Sequence, residues 1–474
     1  MSDDVWIGLD VGTQSARAFA VTADGHVAGS AAAPLRSRRE GDRHEQDPRD
    51  WWHAVCDAGR EALRDVAPER VRGVATCATS GTVLLVDRDG EPLTPGLMYD
   101  DARAGQQARR IGAGMSASWG LPKLLWMCDE WPQFARAGAR LAHQADVVTR
   151  RLAGHDVPSD SSHALKSGYD PVAERWSPDA PAELVPEVVP SGTLLGEVCA
   201  RAAEQTAIPA GTPLYAGMTD SCAAQLAAGA LREGDWNSVL GTTLVLKGFS
   251  SQHVADPAGV LYSHRAPGGG WLPGGASGAG AGVLSAQFAG RDLDDLGRRA
   301  AAFEGTSVLA YPLVSRGERF PFAAADAEAF MLGRPADEAE RFAALLQGVA
   351  FVERLCFDYV DLLGLPADGM LTLTGGATRS RRWCQLRADV LGRDVRLVEQ
   401  PHPAVGMAIL AASAGGDLAG ASDAFVRTSE VIEPRTGRGA QLGRQYLRLV
   451  AELVDRGWLG EPLAEHARAR ARAG

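Results

Sequence analysis

The chain has 474 residues and a mass of 49.9 kDa. Single hydrophobic cores stop growing at about 250–300 residues, so we expect two domains rather than one. A hydrophobic fraction of 45% and a charged fraction of 23% are ordinary for a globular protein, and the net charge of −11 argues against nucleic acid and anionic membranes as partners.

Residue usage excludes several kinds of site. None of the lysines lies in a G-x-x-x-x-G-K-[ST] sequence, which excludes a P-loop. The seven cysteines include no C-x-x-C pair, which argues against a zinc ribbon and a disulfide framework. The acidic start lacks the residue order of a signal peptide, and no apolar run reaches the length of a membrane span. We therefore expect a cytoplasmic protein.

The chain opens with strands and polar turns. Residues 5–9 form a short apolar run that ends in Asp10-Val11-Gly12-Thr13, and a second run covers 16–21. A further strand is predicted over 71–77, and it leads into the polar turn Thr79-Ser80-Gly81. This order predicts a sheet whose strands end in polar loops.

The middle of the chain is predicted to be mainly helical over 120–154 and irregular over 156–190, where proline, serine and aspartate are frequent. A strand over 213–218 then runs into an alanine-rich helix over 221–231. Asp220 lies at the junction of that strand and that helix.

The opening pattern recurs in the second half. Residues 236–240 predict a strand, Gly241-Thr242-Thr243 a tight turn, and 244–246 the returning strand. This repetition suggests an internal duplication with a boundary near 229–234.

The remainder predicts further strand-to-helix connections. A glycine-rich stretch covers 268–282, and a long helix is predicted over 337–363. The strand over 371–374 ends in Gly375-Gly376-Ala377 before another helix. The alanine-arginine repeats after His466 predict a solvated, frayed tail.

Two of the turns have the chemistry of a phosphate site. In the Asp10–Thr13 turn, a glycine lets backbone N–H groups face a phosphate, a threonine hydroxyl adds a donor, and Asp10 is a carboxylate of the kind that Mg²⁺ prefers. Arg17 follows closely enough to reach a phosphate. A plain β-turn has the same composition, but the matching turn at 241–243 favours the phosphate interpretation.

Two further features each have two interpretations. Gly375-Gly376-Ala377 lies between a strand and a helix, where it could hold a nucleotide or merely form a tight connection. Asp220 could be a helix N-cap, or it could be a general base that takes a proton from a substrate hydroxyl.

These residues together resemble the FGGY family of carbohydrate kinases. Six stretches, spread over residues 5–415, carry the resemblance: Gly8-Leu9-Asp10-Val11-Gly12-Thr13 with Arg17, Tyr99-Asp100-Asp101-Ala102-Arg103, Lys123-Leu124-Leu125-Trp126, Gly217 to Asp220, Gly317-Glu318-Arg319-Phe320-Pro321, and Gly375-Gly376-Ala377 with Arg379, Ser380 and Trp383. The resemblance implies an α/β protein of two duplicated actin-like (ribonuclease-H-like) domains with a catalytic cleft between them. The expected bounds are 1–231 for the sugar-binding domain, 232–430 for the nucleotide-binding domain and 431–474 for a helical extension.

The resemblance also implies roles for individual residues. Asp220 is expected to be the catalytic base, and Asp10 is expected to hold Mg²⁺ near the sugar. Ser80, Asp101 and Arg103 are expected in the wall of the sugar pocket. The residues expected at ATP are Thr13, Ser15, Arg17, Gly241, Thr242, Gly278, Gly280, Gly375, Gly376, Ala377 and Arg379. The expected partners are ATP and a small sugar, and a homodimer is left open.

One loop bears on the choice of sugar. Xylulose kinases of this family carry Gly-Gln-Met-His-Gly where this chain has Ala78-Thr79-Ser80-Gly81, so Ser80 stands at the histidine position. The Thr-Ser-Gly form is similar to the plant and cyanobacterial sugar kinases that prefer D-ribulose. We therefore favour D-ribulose over D-xylulose, with another ketose or a polyol as further alternatives.

Other classes of protein remain as alternatives. An actin-like ATPase binds ATP on the same fold without a sugar, but Ser80, Asp101 and Arg103 argue against it. A sugar-sensing pseudo-kinase is disfavoured by the presence of Asp10 and Asp220. A ribokinase-type enzyme is disfavoured because its Gly-Ala-Gly-Asp motif is absent.

Overall fold

The computed structural model describes residues 4–112, 115–414 and 416–473. Contacts between Cα atoms divide the chain into two compact units. The first unit comprises Met1–Gly229, His264–Gly270 and Gln400–Arg427, and the second comprises Ala230–Ser263, Trp271–Glu399 and Thr428–Gly474.

The strands, in chain order, are β1 (Val5–Val11), β2 (Ser15–Thr22), β3 (Val27–Pro34), β4 (Arg38–Glu40), β5 (Arg43–Gln46), β6 (Val71–Ala78), β7 (Val83–Val86), β8 (Gly96–Leu97), β9 (Arg140–His143), β10 (Ser159–Asp160), β11 (Tyr169–Asp170), β12 (Arg175–Trp176), β13 (Val188–Val189), β14 (Leu194–Glu197), β15 (Pro213–Thr219), β16 (Trp236–Leu240), β17 (Leu244–Gly248), β18 (Tyr262–Arg265), β19 (Trp271–Ser277), β20 (Leu309–Tyr311), β21 (Phe330–Leu332), β22 (Leu371–Thr374), β23 (Val395–Val398) and β24 (Thr428–Ile432).

The α-helices are α1 (Pro48–Ala62), α2 (Gly105–Ile111), α3 (Gly120–Glu130), α4 (Pro132–Arg136), α5 (Gln144–Ala153), α6 (Ser161–Ala164), α7 (Ala200–Thr206), α8 (Asp220–Ala227), α9 (Gly282–Gln287), α10 (Leu293–Ala300), α11 (Glu338–Leu362), α12 (Arg381–Leu391), α13 (Pro403–Ser413), α14 (Leu418–Phe425), α15 (Gly439–Asp455) and α16 (Glu461–Ala473). No helix among the described residues combines the length and the apolar character needed to cross a membrane.

The first unit is built on a six-stranded sheet in the order β14-β15-β6-β1-β2-β3. Strand β1 is antiparallel to β2 and parallel to β6, and β6 is parallel to β15. Helix α13 lies so close to β1 that a Cβ on Gly8 would be 1.6 Å from the Ala404 carbonyl oxygen. A five-stranded sheet in the order β4-β5-β8-β7-β9 belongs to the same unit.

The second unit repeats this arrangement. Its seven-stranded sheet has the order β18-β19-β17-β16-β22-β23-β24. Strand β16 is antiparallel to β17 and parallel to β22, β22 is parallel to β23, and β24 is antiparallel to β23. Strands β1, β2, β6 and β15 therefore correspond to β16, β17, β22 and β23. The predicted duplication is confirmed by the strand order.

Each unit has its own hydrophobic core. In the first, Trp51 of α1 and Val55 pack with the apolar face of β1 and with α5. In the second, the long helix α11 packs with α12, α15 and the sheet, and Phe351 and Tyr446 are fully buried there. A separate core in each unit agrees with the expectation of two domains drawn from the length of the chain.

The structure adds detail to several local expectations. The stretch over 120–154 is mainly helical, as predicted, and it also contains β9 (Arg140–His143), which pairs with β7. The residues after His466 do not form a frayed tail, because α16 runs to Ala473 and buries Ala464 and Ala467. Residues 403–425, which we assigned to the second domain, form α13 and α14 and pack with the first unit. A local apolar pattern predicts a helix but does not say which sheet the helix covers.

Candidate active site

Three polar segments of the first unit end adjacent parallel strands. Asp10 lies at the end of β1, residues 79–81 follow β6, and Asp220 follows β15. Asp10 is in register with Cys77 of β6, and Ala78 is in register with Thr219. Because the carboxyl ends of parallel strands meet at one edge of a sheet, these segments form one site.

Asp10 is a buried carboxylate with an unusual environment. It is 2% exposed, its Oδ2 accepts a hydrogen bond from Arg17 Nη1 at 3.1 Å, and its Oδ1 lies 3.6 Å from Cys77 Sγ. The pKa of Asp10 is raised to about 6, mainly by burial and then by the negative charge of Asp220, against the opposing effect of Arg17. The two carboxylates therefore lie close enough to interact electrostatically.

Asp220 is not the N-cap of its helix. The N-cap of α8 is Thr219, and Asp220 is the first residue of the helix, where its Oδ1 accepts a hydrogen bond from the Ser221 N–H at 2.7 Å. The hydroxyl of Ser162 accepts a hydrogen bond from the Thr219 N–H at 3.1 Å. The side chain of Asp220 is thus held at the sheet edge by its place in the helix, and it stays partly exposed.

The turn after β1 brings together the first group of predicted phosphate residues. The Gly12 N–H donates to the Ser15 carbonyl at 3.1 Å, and the Thr13 carbonyl accepts a hydrogen bond from Gln46 Nε2 at 2.7 Å. Arg17 forms an ion pair with Asp10 while 37% of its side chain remains exposed. The positive charge of Arg17 therefore partly balances the negative charge of Asp10, and part of the Arg17 side chain is accessible to solvent.

Ser80 lies in a loop whose other groups are held firmly. The Thr79 N–H and hydroxyl both donate to Gln144 Oε1, at 3.2 and 2.7 Å, and the Gly81 carbonyl accepts a hydrogen bond from Lys123 Nζ at 2.9 Å. The Ser80 hydroxyl oxygen, in contrast, is buried without a hydrogen-bond partner among the described residues. A buried hydroxyl without a partner costs free energy unless a ligand or water satisfies it.

Asp101 and Arg103, which we expected in the wall of the sugar pocket, form a buried ion pair. Asp101 is fully buried and accepts hydrogen bonds from the His44 N–H and from the Arg103 guanidinium, both at 2.7 Å. Arg103 also pairs with Glu45 at 2.7 Å and lies over the ring of Trp126. These contacts join the segment from Asp101 to Arg103 to His44 and Glu45.

The predicted nucleotide residues of the second unit also come together. The turn Gly241-Thr242-Thr243 joins β16 to β17, and the Ala281 N–H donates to the Gly241 carbonyl at 2.9 Å. A Cβ on Gly280 would lie 2.3 Å from the Thr242 carbonyl oxygen, so the backbone there needs glycine. Gly278 begins the same loop, directly after β19.

Gly375 and Gly376 follow the neighbouring strand β22. Gly375 has a φ of +88°, and a Cβ on it would lie 2.6 Å from the Leu240 carbonyl oxygen, so it lies beside the Gly241 turn. A Cβ on Gly376 would meet no atom within 4 Å. Ala377 is buried and Arg379 is exposed in the short 3₁₀ turn that follows. The two glycine loops thus form one backbone-lined surface at the carboxyl ends of β16 and β22.

Comparison with known proteins identifies the family. The N-terminal domain of the FGGY family of carbohydrate kinases matches residues 5–227, and its C-terminal domain matches residues 236–415. The chain belongs to the FGGY family of carbohydrate kinases. The resemblance and the fold class predicted from the sequence are therefore confirmed, and the protein is a sugar kinase.

Individual relatives of this FGGY kinase are similar over nearly their whole length. The xylulose kinase of Streptomyces coelicolor is 30% identical over 420 residues, which are 83% of this chain and 84% of the relative. The crystal structure of xylulose kinase from Rhodospirillum rubrum has 28% identity and a TM-score of 0.85, covering 95% of this chain and 98% of that one. Plasmodium falciparum glycerol kinase with ADP has the same fold, with 17% identity, a TM-score of 0.85 and coverage of 96% and 99%.

The carboxylate oxygens of Asp10 are of the kind that binds a magnesium ion. No group of three or more histidine, cysteine or acidic side chains with metal-binding spacing occurs in the described part of the chain. Mg²⁺ needs fewer protein ligands, because it usually keeps several waters and takes one or two carboxylates. Burial and the charge of Asp220 raise the pKa of Asp10, which means that they disfavour its ionised form. A divalent cation bound there would stabilise that ionised form.

The sequence alone did not indicate the side chains that fix the backbone of the site loops. Gln46 fixes Thr13, and Glu318 accepts a hydrogen bond from the Gly278 N–H at 2.6 Å. Lys123 and Glu318 lie in stretches that carry the family resemblance, but nothing in their local pattern indicates these contacts. The contacts join residues 33 to 42 positions apart, so only the folded chain shows them.

Proposed function

We propose that the kinase transfers the γ-phosphoryl group of ATP to the terminal hydroxyl of a ketopentose, with D-ribulose as the favoured acceptor. The observation that carries the proposal is the edge of the first sheet, where Asp10, the Ser80 loop and Asp220 end three adjacent parallel strands. This edge brings the partly exposed Asp220 to the same end of the sheet as the Ser80 hydroxyl, whose oxygen is buried without a hydrogen-bond partner among the described residues.

Asp220 is the proposed general base. Phosphoryl transfer depends mainly on positioning and charge neutralisation, and a carboxylate near the attacking hydroxyl takes its proton. Asp220 remains partly exposed, so a substrate hydroxyl can reach it. Thr13, Ser15 and Arg17 are the proposed phosphate contacts of the first unit. Asp10 would hold Mg²⁺, which when bound neutralises charge on phosphate oxygens.

The nucleotide is proposed to bind the glycine loops of the second unit. Gly241 and Thr242, Gly278 and Gly280, and the segment from Gly375 to Arg379 present backbone groups with little side chain between them and a ligand. Such loops at the carboxyl ends of parallel strands suit phosphates and a flat base. The glycine loops and the ADP named for the glycerol kinase of the same fold support ATP as the donor.

The acceptor is chosen by the Ser80 loop. Serine is shorter than the histidine of the xylulose kinases and leaves a hydroxyl donor and acceptor for a sugar oxygen. D-Xylulose is the second candidate, because the relatives of Streptomyces coelicolor and Rhodospirillum rubrum are named xylulose kinases. Both sugars are ketopentoses, and they differ in the configuration of one carbon.

A coupled ADP-release assay tests the proposal. The purified chain with Mg-ATP is offered D-ribulose, D-xylulose, L-ribulose, polyols and glycerol in turn. We expect strong turnover with one ketopentose, D-ribulose first, and little ADP release without sugar. Sugar-independent ATP hydrolysis at one rate across the panel would support the actin-like ATPase alternative instead, and no ADP release at all would support the sugar-sensing pseudo-kinase.

A pair of serine variants tests the choice of sugar. Ser80→Ala removes the proposed sugar contact and should lower kcat/KM for the preferred ketopentose by about tenfold, the loss expected for one hydrogen bond. Ser263→Ala is the matched control, because Ser263 also has a buried hydroxyl oxygen without a partner among the described residues but lies in β18 of the second unit. Equal effects of the two substitutions would contradict the role of Ser80.

A further inference from the structure

Lys123 is a fully buried lysine in helix α3. Its Nζ donates to the main-chain carbonyl of Gly81 at 2.9 Å and to that of Met98 at 2.5 Å. Burial lowers its pKa to about 7, and the negative charge of Asp101 opposes that shift. Placing an amine in the interior is unfavourable unless its hydrogen bonds are satisfied, so these two contacts define its role.

The two carbonyls belong to different segments of the site. Gly81 closes the loop that carries Ser80, and Met98 directly precedes the Tyr99–Arg103 segment. The Met98 carbonyl also accepts a hydrogen bond from the Asp101 N–H at 2.9 Å. Lys123 is therefore a bridge between the Ser80 loop and the segment that begins at Tyr99, whose side chain is 43% exposed.

The rest of the Ser80 loop is fixed by other contacts. The Thr79 hydroxyl bonds with Thr82 and Gln144, and His163 Nε2 lies 3.3 Å from the Ala78 carbonyl. These contacts hold the first half of the loop against β6. In its second half, Thr82 is held by backbone hydrogen bonds with Thr79 and Gln144, and the Gly81 carbonyl, directly after Ser80, is held by Lys123.

We propose that Lys123 is a positioning residue that sets acceptor-sugar selectivity by fixing the Ser80 loop against the Tyr99–Arg103 segment. The inference rests on the proposed function, because it assigns Ser80 to the sugar. Lys123 is fully buried and so does not touch the sugar itself. Both hydrogen bonds that Lys123 donates within the described residues go to Gly81 and Met98, so the proposal concerns the sugar and not the nucleotide.

The test compares two substitutions of buried lysines. Lys123→Met replaces the lysine with an unbranched apolar side chain that is one bond shorter and removes both hydrogen bonds. Lys247→Met removes another fully buried amine, which has no hydrogen-bond partner among the described residues. For Lys123→Met we expect the KM for the preferred ketopentose to rise about tenfold, and the kcat/KM ratio between D-ribulose and D-xylulose to move toward one. The KM for ATP should stay within about twofold. Lys247→Met should change neither the sugar KM nor this ratio.

A second variant covers the case in which Lys123→Met does not fold. Lys123→Gln keeps two N–H donors on a side chain that is one bond shorter, so it should reach only one of the carbonyls. We expect this variant to raise the sugar KM and to weaken selectivity in the same direction. Circular dichroism confirms that each variant is folded before kinetics are measured.

The outcomes separate the inference from the proposed function. If the wild-type chain phosphorylates a ketopentose and both Lys123 variants keep its KM and the sugar ratio, the inference is wrong while the function stands. An equal loss with both sugars and with ATP also overturns it, because it would indicate a general structural role. A wild-type chain inactive on every ketopentose overturns the proposed function itself, and with it the assignment of Lys123.

Discussion

At the scale of single residues, the raised pKa of Asp10 has a consequence for stability. Its pKa rises from 3.8 to about 6, mainly because of burial and then because of the charge of Asp220. Between pH 3.8 and about pH 6 the folded chain binds more protons than the unfolded chain. The free energy of unfolding therefore decreases as the pH rises through about 6. The ionised Asp10 therefore destabilises the fold at neutral pH, which is common for functional carboxylates.

We predict that Asp10→Asn stabilises the fold and removes kinase activity. The free energy of unfolding should increase by about 1–3 kcal/mol at pH 7.5 and by less at pH 5, measured by urea denaturation. Asp24→Asn is the control, and it should lower the free energy of unfolding at pH 7.5, because a hydrogen bond from the Thr22 hydroxyl stabilises ionised Asp24 and lowers its pKa. An Asp10→Asn chain that is less stable than the wild type at pH 7.5 would contradict the prediction.

Gln46 gives a second prediction at this scale. It is buried, its Nε2 donates to the Thr13 carbonyl, and its Oε1 accepts a hydrogen bond from Trp51 Nε1 at 2.7 Å. Gln46→Leu should remove the hydrogen bond that fixes the turn at Thr13. We expect it to raise the KM for ATP about tenfold and to leave the KM for the sugar unchanged.

The matched control for Gln46 is Gln205→Leu. Gln205 also accepts a hydrogen bond from an indole, Trp52 Nε1 at 2.9 Å, but it has no contact with the turn at Thr13. In steady-state kinetics with varied ATP, the Gln205→Leu chain should have the wild-type KM for ATP. The same KM for ATP in both variants would show that Gln46 does not act through the turn.

At the scale of elements, the two glycine loops of the second unit depend on a close backbone approach. Gly280→Ala would place a Cβ 2.3 Å from the Thr242 carbonyl oxygen and push the turn after β16 away. We predict a rise of at least about tenfold in the KM for ATP, because backbone donors must be placed within a few tenths of an ångström. The measurement is ATP binding by calorimetry, alongside kinetics.

Gly443→Ala serves as the control for Gly280→Ala. Gly443 lies within α15, and a Cβ there would meet no atom within 4 Å. Alanine should stabilise that helix by up to about 1 kcal/mol and leave ATP binding unchanged. If Gly280→Ala binds ATP like the control, the assignment of this loop to the nucleotide is wrong.

At the scale of the whole molecule, the C-terminal helix α16 is part of the second core. Leu463, Ala464 and Ala467 are buried, and Arg470 forms an ion pair with Asp358 at 3.0 Å. Ending the chain after Gly460 should therefore cost at least about 2 kcal/mol of unfolding free energy, because it exposes the apolar surface of α11 and α15.

A shorter truncation provides the comparison. A chain that ends after Arg470 keeps the buried residues and the ion pair, so its stability should remain within about 0.5 kcal/mol of the full chain. Thermal and urea unfolding of the two truncated chains distinguish a docked helix from a frayed tail. Equal stability of both truncations and the full chain would support the frayed tail that the sequence suggested.

The sequence allowed the features with a local signature to be predicted. The turns after β1 and β16 have the same polar composition between apolar strands, so their correspondence is visible before folding. The glycines at 280 and 375 are visible in the same way. These patterns indicated the internal duplication and placed Asp10 and Asp220 at the ends of strands, and the fold class came from the family resemblance that they carry.

The remaining features depend on contacts between distant parts of the chain. Lys123 reaches a carbonyl 42 positions away, and nothing around it in the sequence indicates that its amine is buried. Helix α13 packs on the sheet of the first unit although in the chain it lies between β23 and β24 of the second. Strand β9 is short and lies between helices, so its pairing with β7 decides its conformation. Tertiary context overrides local propensity in each of these cases.

The most direct test of the account is ADP release by the wild type and by Asp220→Asn, with and without the preferred ketopentose. The substitution keeps the shape of the side chain and removes the base. We predict that the wild type releases ADP only when sugar is present, and that Asp220→Asn loses at least about a hundredfold in kcat while it binds ATP with unchanged affinity. Sugar-dependent turnover that survives in Asp220→Asn, or ATP binding lost together with the fold, would contradict the role of Asp220 as the catalytic base.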